Sequence, residues 1–334
     1  MKSIAIIGAG TIAKMHAFVL SELKDRARIS AVADTNADSA KALAEPGGAQ
    51  VFGTLSEVLA SSAKPDIVLL CLPHGLHITA GLEALHAGCH VFMEKPLALS
   101  TGDCERLRAA EKETGKTIFV GHTHQYKETF RAAKRMIQEG KIGEVKLIDD
   151  EITGYYGYEK RQPWFLDRKL AGGGPIFNTT PHQIDHLLYL IDSPVTRVTG
   201  TVASLRPGLD LDSDLSAIAS YENGASANFR TFSGTRVEES GRLSCRIFGT
   251  EGSLQISAFS EDMRHSWADQ HVVIPCPQTT DPFALEWMEF LDALEQGRAP
   301  LTGSTYGHNV VSVLEALIES SQTGRAISPK WLTD

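Results

Sequence analysis

Three groups of residues in this chain could do chemistry, and their spacing says which chemistry. Gly8-Ala9-Gly10-Thr11-Ile12-Ala13 reads G-x-G-x-x-A. In that pattern Gly8 permits a tight turn, Gly10 lets a pyrophosphate approach the backbone, and the small Ala13 lets a helix pack on a strand. The N–H groups of Thr11, Ile12 and Ala13 at a helix start would hold the phosphates, where the helix dipole favours an anion. Asp34 lies 24 residues after Gly10, near the roughly 20-residue offset of an acid that bonds a ribose 2′-hydroxyl. Asp also caps helices and turns, so the reading rests on both signals at two strand ends. A carboxylate there repels a 2′-phosphate, and Thr35–Ser39 holds no Arg or Lys to bind one. The expected cofactor is NAD rather than NADP.

The second group is Glu94-Lys95-Pro96, directly after the apolar run His90–Met93. That is the carboxyl end of a strand, where open α/β sheets bind ligands. A lysine there can donate to a hydroxyl or polarise a carbonyl; an isolated one would be a surface lysine paired with Glu94. The third group is histidines. His182, Asp185 and His186 stand at i, i+3 and i+4 and share one helix face. Three readings compete: a metal site, a buried helix start, and a general acid/base suited by an imidazole pKa near 6.5. The motif is not H-E-x-x-H and offers no further ligand, so no metal is expected. His122 and His124 alternate across Thr123 in what reads as an extended segment, which would turn both to one side. Lining a pocket and forming a polar strand exit fit them equally. His86 and His90 fall around a helix end, where solvent reaches them.

The elements that must position these groups change character part-way along the chain. Apolar runs at 3–8, 29–34, 66–72, 90–93 and 118–120 alternate with helical stretches at 11–23, 37–44, 56–60, 76–87 and 102–114. Strands apolar throughout, alternating with helices, mean a parallel sheet covered on both faces. After about Gly121 come strand-like runs near 145–154, 196–204, 213–221, 225–233, 242–248 and 252–257. Asn223–Gly224 suits a hairpin turn. Helices are expected at 130–139, 181–191, 282–296 and 303–321, and the polar stretch 258–281 is unassigned. The fold class is α/β: a Rossmann parallel sheet over 1–121, then an α+β substrate and oligomer domain over 122–334 with an open antiparallel sheet.

Composition excludes other classes. The 334 residues carry a net charge of −9, which disfavours a nucleic-acid partner. The five cysteines are odd in number and no two form C-x-x-C, so a disulfide framework is not expected and a reducing, cytoplasmic setting is. No apolar run is long enough to cross a bilayer.

The chain resembles the glucose–fructose oxidoreductase/inositol dehydrogenase (Gfo/Idh/MocA) family over nearly its whole length. The likeness is carried by GAGTIA at 8–13, CLPHGLH at 71–77, HVFMEKPLAL at 90–99, GKIGEV at 140–145, GGGPIFNTTPHQID at 172–185, GTEGSL at 249–254 and a terminal SQTGRAIS. The resemblance implies hydride transfer between NAD(P) and a hydroxyl or ketone of a sugar, polyol or inositol-like molecule. It also implies a homodimer or homotetramer formed through the open sheet. Cofactor contacts would come from Cys71, Leu72, Pro73, His77, Glu94 and Lys95 besides the glycine turn. Lys95, His182 and Asn178 would be catalytic, and His186 structural. Many relatives have aspartate where this chain has Asn178, an amide that can orient a hydroxyl but cannot stabilise an imidazolium by charge. Many also carry arginine and phenylalanine near Gln125–Tyr126. His122, His124, Tyr126, Trp164, Arg168, Asn178 and His182 are the expected substrate residues. A second reading, kept open by Asn178, is a cofactor-binding regulator or sensor without catalysis.

Overall fold

The computed structural model describes residues 1–204, 208, 210–234 and 242–333. The strands are β1 (Lys2–Ile7), β2 (Ala27–Ala33), β3 (Gln50–Phe52), β4 (Ile67–Leu70), β5 (His90–Glu94), β6 (Ile118–Gly121), β7 (Val145–Thr153), β8 (Val195–Ala203), β9 (Asp214–Tyr221), β10 (Ser226–Phe232), β11 (Arg242–Gly249), β12 (Ser253–Ile256), β13 (Asp262–Trp267) and β14 (Gln270–Pro275). The helices are α1 (Thr11–Glu22), α2 (Ala37–Ala44), α3 (Leu55–Ala60), α4 (His77–His86), α5 (Thr101–Thr114), α6 (Glu128–Gln138), α7 (Arg168–Ala171), α8 (Pro175–Ile191), α9 (Pro282–Gln296) and α10 (Ser304–Thr323). They form two compact units, one holding 1–122 and 280–308, the other 123–279 and 309–333.

In the first unit six strands lie in the order β3-β2-β1-β4-β5-β6, every pair parallel. The order reverses between β1 and β4, the switch point beside which such sheets bind ligands. The short edge strand β3 escaped the sequence pattern because Gln50 and Val51 are exposed and carry no apolar run. Helix α9, expected in the second domain, belongs to this unit. Its Trp287 stacks on Phe92 with centroids 4.5 Å apart, and its Phe290 lies 5.2 Å from Phe119. Those aromatic rings complete the core over β5 and β6.

In the second unit eight strands run β14-β13-β12-β11-β7-β10-β9-β8. The sheet is mixed rather than purely antiparallel, because β10 lies parallel to β7. A parallel neighbour needs a crossover, and the chain between β7 and β10 includes α8. The expected hairpin at Asn223–Gly224 joins β9 and β10, with Gly224 at φ 84°. The stretch 258–281 contains β13 and β14. It showed no strand signal because β14 is exposed at five of its six residues. Helix α8 begins at Pro175, six residues before the expected start. Pro181, which reads as a first-turn proline, instead sits inside the helix.

Alternation along these strands gives the sheet two faces. Ile148 and Asp150 of β7, Ala227, Phe229 and Thr231 of β10, and Leu243, Cys245 and Ile247 of β11 are buried. The opposite face carries Asp149 paired with Arg230 and Arg246, and leaves Ile218, Phe232 and Phe248 exposed. No helix among the described residues is long and apolar enough to cross a membrane.

Candidate active site

In the first unit the glycine turn between β1 and α1 has the form a dinucleotide needs. Gly8 sits at φ 93°, and a Cβ there would lie 2.3 Å from the Cys71 carbonyl oxygen, so the fold itself demands glycine. Gly10 is different. A Cβ there would meet nothing within 4 Å, so the protein's own packing does not require glycine and space is left for a ligand against the backbone. Gly10 is also the N-cap of α1, which has no side-chain cap and no acid in its first turn. The N–H groups of that turn suit a phosphate, so the residues fit the dinucleotide. Asp34 accepts from Ala9 N–H at 2.6 Å and from Asn36 N–H at 2.7 Å, which ties the end of β2 to the glycine turn.

Cys71, Leu72 and Pro73 follow β4, partly exposed. His77 is wholly buried. Its Nδ1 lies 2.8 Å from the Pro96 carbonyl and its Nε2 3.0 Å from that of Leu72. Burial outweighs those two carbonyls and holds its pKa below the usual value, and a neutral ring can donate to only one of them. The ring thus braces the 71–73 turn against the lysine segment. Glu94 is buried at the end of β5 and accepts from His16 Nε2 at 2.8 Å, while Trp287 Nε1 donates to His16 Nδ1 at 3.0 Å. This chain fixes the strand end from which partly exposed Lys95 projects. His122 is fully buried, and neither ring nitrogen has a hydrogen-bond partner among the described residues. Burial, reinforced by the Lys95 charge, pushes its pKa down to about 3.

The second unit supplies the histidines. Helix α8 packs so completely that 13 of its 17 residues are buried. The four that are not are Asn178, Thr179, His182 and Tyr189, so Asn178 and His182 form a polar i, i+4 seam on an otherwise buried helix. His124 stacks on His182 with centroids 4.4 Å apart and planes 20° apart. The segment bearing it is not extended: Thr123–Tyr126 is a 3₁₀ turn, so His122 and His124 do not alternate as on a strand. They fall in different units. Tyr126 is buried. Trp164 stacks on Phe165 at 3.6 Å, and Arg168 is drawn to Asp210 and Asp212, each at 3.2 Å.

On the shared face of 182, 185 and 186, two of the three residues are held by hydrogen bonds. Asp185 accepts from Gln125 Nε2 at 2.8 Å, and His186 Nε2 donates to Asp150 Oδ2 at 2.8 Å. Asp150, His186 and Cys245 do bring ligand atoms within 4.8 Å of one another. Tetrahedral ligands on bonds of ~2.0 Å stand about 3.3 Å apart, and the 2.8 Å contact is closer than that and has the length of a hydrogen bond. Burial and the Asp150 carboxylate also raise the Cys245 pKa well above its ordinary value, keeping it a thiol. Asp150 was missed in the sequence, where the available signal was its register. It stands two residues after Ile148, on the inward side of β7. His16 and Trp287 gave no signal, since each is one polar-tipped ring on an apolar helix face.

Two family descriptions match this chain: "Oxidoreductase family, NAD-binding Rossmann fold" over residues 2–122 and "GFO/IDH/MocA C-terminal domain" over 130–255. The chain belongs to the Gfo/Idh/MocA oxidoreductase family. Inositol 2-dehydrogenase of Cereibacter sphaeroides is 26% identical over 98% of this Gfo/Idh/MocA chain and 96% of its own. D-glucoside 3-dehydrogenase of Escherichia coli is 29% identical over 58% of this chain. The chain spans about half the length of several such relatives, 52%, 55% and 53% in three cases. Levoglucosan dehydrogenase in complex with NADH and levoglucosan superposes with a TM-score of 0.90 over 98% of this chain and 99% of its own, at 18% identity, which is a likeness of fold.

Proposed function

We propose that this family member is an NAD-dependent oxidoreductase that moves a hydride between nicotinamide and a hydroxyl-bearing carbon of a sugar, polyol or inositol-like molecule. The observation that carries the reading is the polar seam of Asn178 and His182 on a buried helix, with His124 stacked against it. When bound, the nicotinamide supplies the two-electron acceptor. Lys95 holds and polarises the substrate oxygen. The hydroxyl proton goes to the stacked histidine pair, of which the family likeness singles out His182. Asn178 orients the alcohol by hydrogen bonding. Tyr126, Trp164 and Arg168 are assigned to the substrate's remaining contacts; His122, expected among them, is fully buried and is left out. Holding reactants in register makes a bimolecular step effectively unimolecular, which supplies much of the rate. The substrate class is supported by relatives named for inositol and glucoside oxidation.

Asp34 with no nearby cation favours NAD over NADP by at least about tenfold, or ~1.4 kcal/mol. The exposed apolar residues among ion pairs on the outer sheet face suit a homodimer or homotetramer. Light scattering at micromolar concentration should then exceed the 36.2 kDa of one chain. The deciding experiment is a screen of sugars and inositols with NAD and NADP, read as absorbance of the reduced cofactor. Turnover with NAD supports the enzyme. Binding of NAD and a sugar with no turnover favours a sensor, the alternative that the uncharged Asn178 keeps in view. Equal use of both cofactors overturns the role of Asp34.

A further inference from the structure

Asp150 is wholly buried in the middle strand of its sheet, and both oxygens are engaged. Oδ1 accepts from Gln183 Nε2 at 2.7 Å, and Oδ2 accepts from His186 Nε2 at 2.8 Å. A carboxylate only accepts, so His186 carries its hydrogen on Nε2. In the neutral ring Nδ1 is then the acceptor, and it lies 3.3 Å from His124 Nδ1. One hydrogen must lie between those two nitrogens, so His124 supplies it. That makes Nε2 the basic nitrogen of His124. The direction of every hydrogen in this chain is thus set from its buried carboxylate end. At the other end is a half-buried ring stacked on His182.

We propose that His124, backed by His186 and Asp150, is the base that takes the substrate proton, with His182 beside it binding the same oxygen; this rests on the oxidoreductase reading above. The hydroxyl O–H bond breaks as a hydrogen bonds to His124 Nε2. The His124 Nδ1–H bond breaks as one forms at His186 Nδ1. The positive charge ends on His186, whose Nε2–H still faces the Asp150 carboxylate. The hydrogen and electron pair leaving the carbon go to oxidised nicotinamide, so the carbon is oxidised and the cofactor reduced. Asn178, one turn before His182, carries no charge to stabilise an imidazolium; Asp150 does, and reaches the site through two rings. Asp150 and His186 are positioning residues in this scheme.

The polarity of the chain gives a test that needs no substrate. In the full-length protein labelled with ¹⁵N-histidine, long-range proton–nitrogen spectra should show hydrogen on Nε2 of His186 and on Nδ1 of His124. Asp150→Asn should reverse both. Gln183 Nε2 keeps the amide oxygen, which turns the amide NH₂ toward His186 Nε2 and forces each ring into the other tautomer. The kcat of that variant should fall at least 100-fold while KM and NAD affinity change less than threefold; the wrong tautomer behind a catalytic histidine has effects of this order or larger in serine proteases. Hydrogen on Nε2 of wild-type His124 would overturn the relay, whether or not the variant folds. So would an Asp150→Asn protein with reversed tautomers and undiminished turnover. A wild-type protein with the stated tautomers that reduces NAD with no sugar or polyol overturns the reaction reading instead.

Discussion

The two units each bury a carboxylate against an imidazole at the same 2.8 Å, Glu94 with His16 and Asp150 with His186. What differs is the far nitrogen of each ring. His16 Nδ1 accepts from Trp287 N–H, a donor that cannot take up a proton, so the chain is closed. His186 Nδ1 faces His124, which can both give and receive one. The first arrangement is a clamp that fixes the end of β5; the second has the hydrogen-bond order of a relay. A carboxylate–histidine pair therefore says little about catalysis until the group on the second nitrogen is known.

The largest effect expected from testing that contrast lies at the open end. His124→Ala and His182→Ala should each lower turnover at least about 100-fold, and together about 10³-fold or more, with NAD affinity unchanged by calorimetry. A double variant no slower than either single one would show that the two rings act as one unit, and a single variant with full turnover would show that its ring takes no part. At the closed end the expected loss is of stability. Trp287→Phe leaves His16 Nδ1 buried without its donor and should cost about 1–3 kcal/mol in urea unfolding. An unchanged midpoint would mean that the clamp holds nothing.

His122 sharpens the contrast, since it belongs to the clamped unit but has no partner for a proton among the described residues. Its folded pKa of about 3 lies below the ordinary 6.5, so between those values the unfolded chain binds the extra proton. Stability is fully present above pH ~6.5 and falls as pH drops toward 3, by up to about 1.4 kcal/mol per pH unit. His122→Phe should flatten that slope in unfolding curves taken across the window. The smallest effect is expected at Glu94→Gln. The amide can present oxygen to His16 Nε2–H, because Trp287 fixes the ring's direction, so the loss should stay under about 1 kcal/mol. The same change at Asp150 reverses a hydrogen-bond chain. A Glu94→Gln loss as large as that of Trp287→Phe would remove the distinction.

Much of this protein was determined by sequence alone, for a physical reason. The glycine turn, the strand-end Asp34 and Lys95, and the apolar strands of the first unit are local: each is a short run whose backbone needs or burial pattern can be read in place. The family likeness extended that reading to His182 and Asn178. Only the tertiary structure decided the rest, because it depends on partners far apart in the chain. Trp287 completes a clamp on His16, 271 residues away. The helix that bears it joins the first unit because its rings fill the core there. Strands β13 and β14 are held by edge pairing without an apolar pattern of their own. Asp150 meets His186 across 36 residues, and His186 meets His124 across 62. Spacing put His186 and His182 on one helix turn. Which nitrogen of each ring bears a hydrogen is a property of what folding brings to its far side.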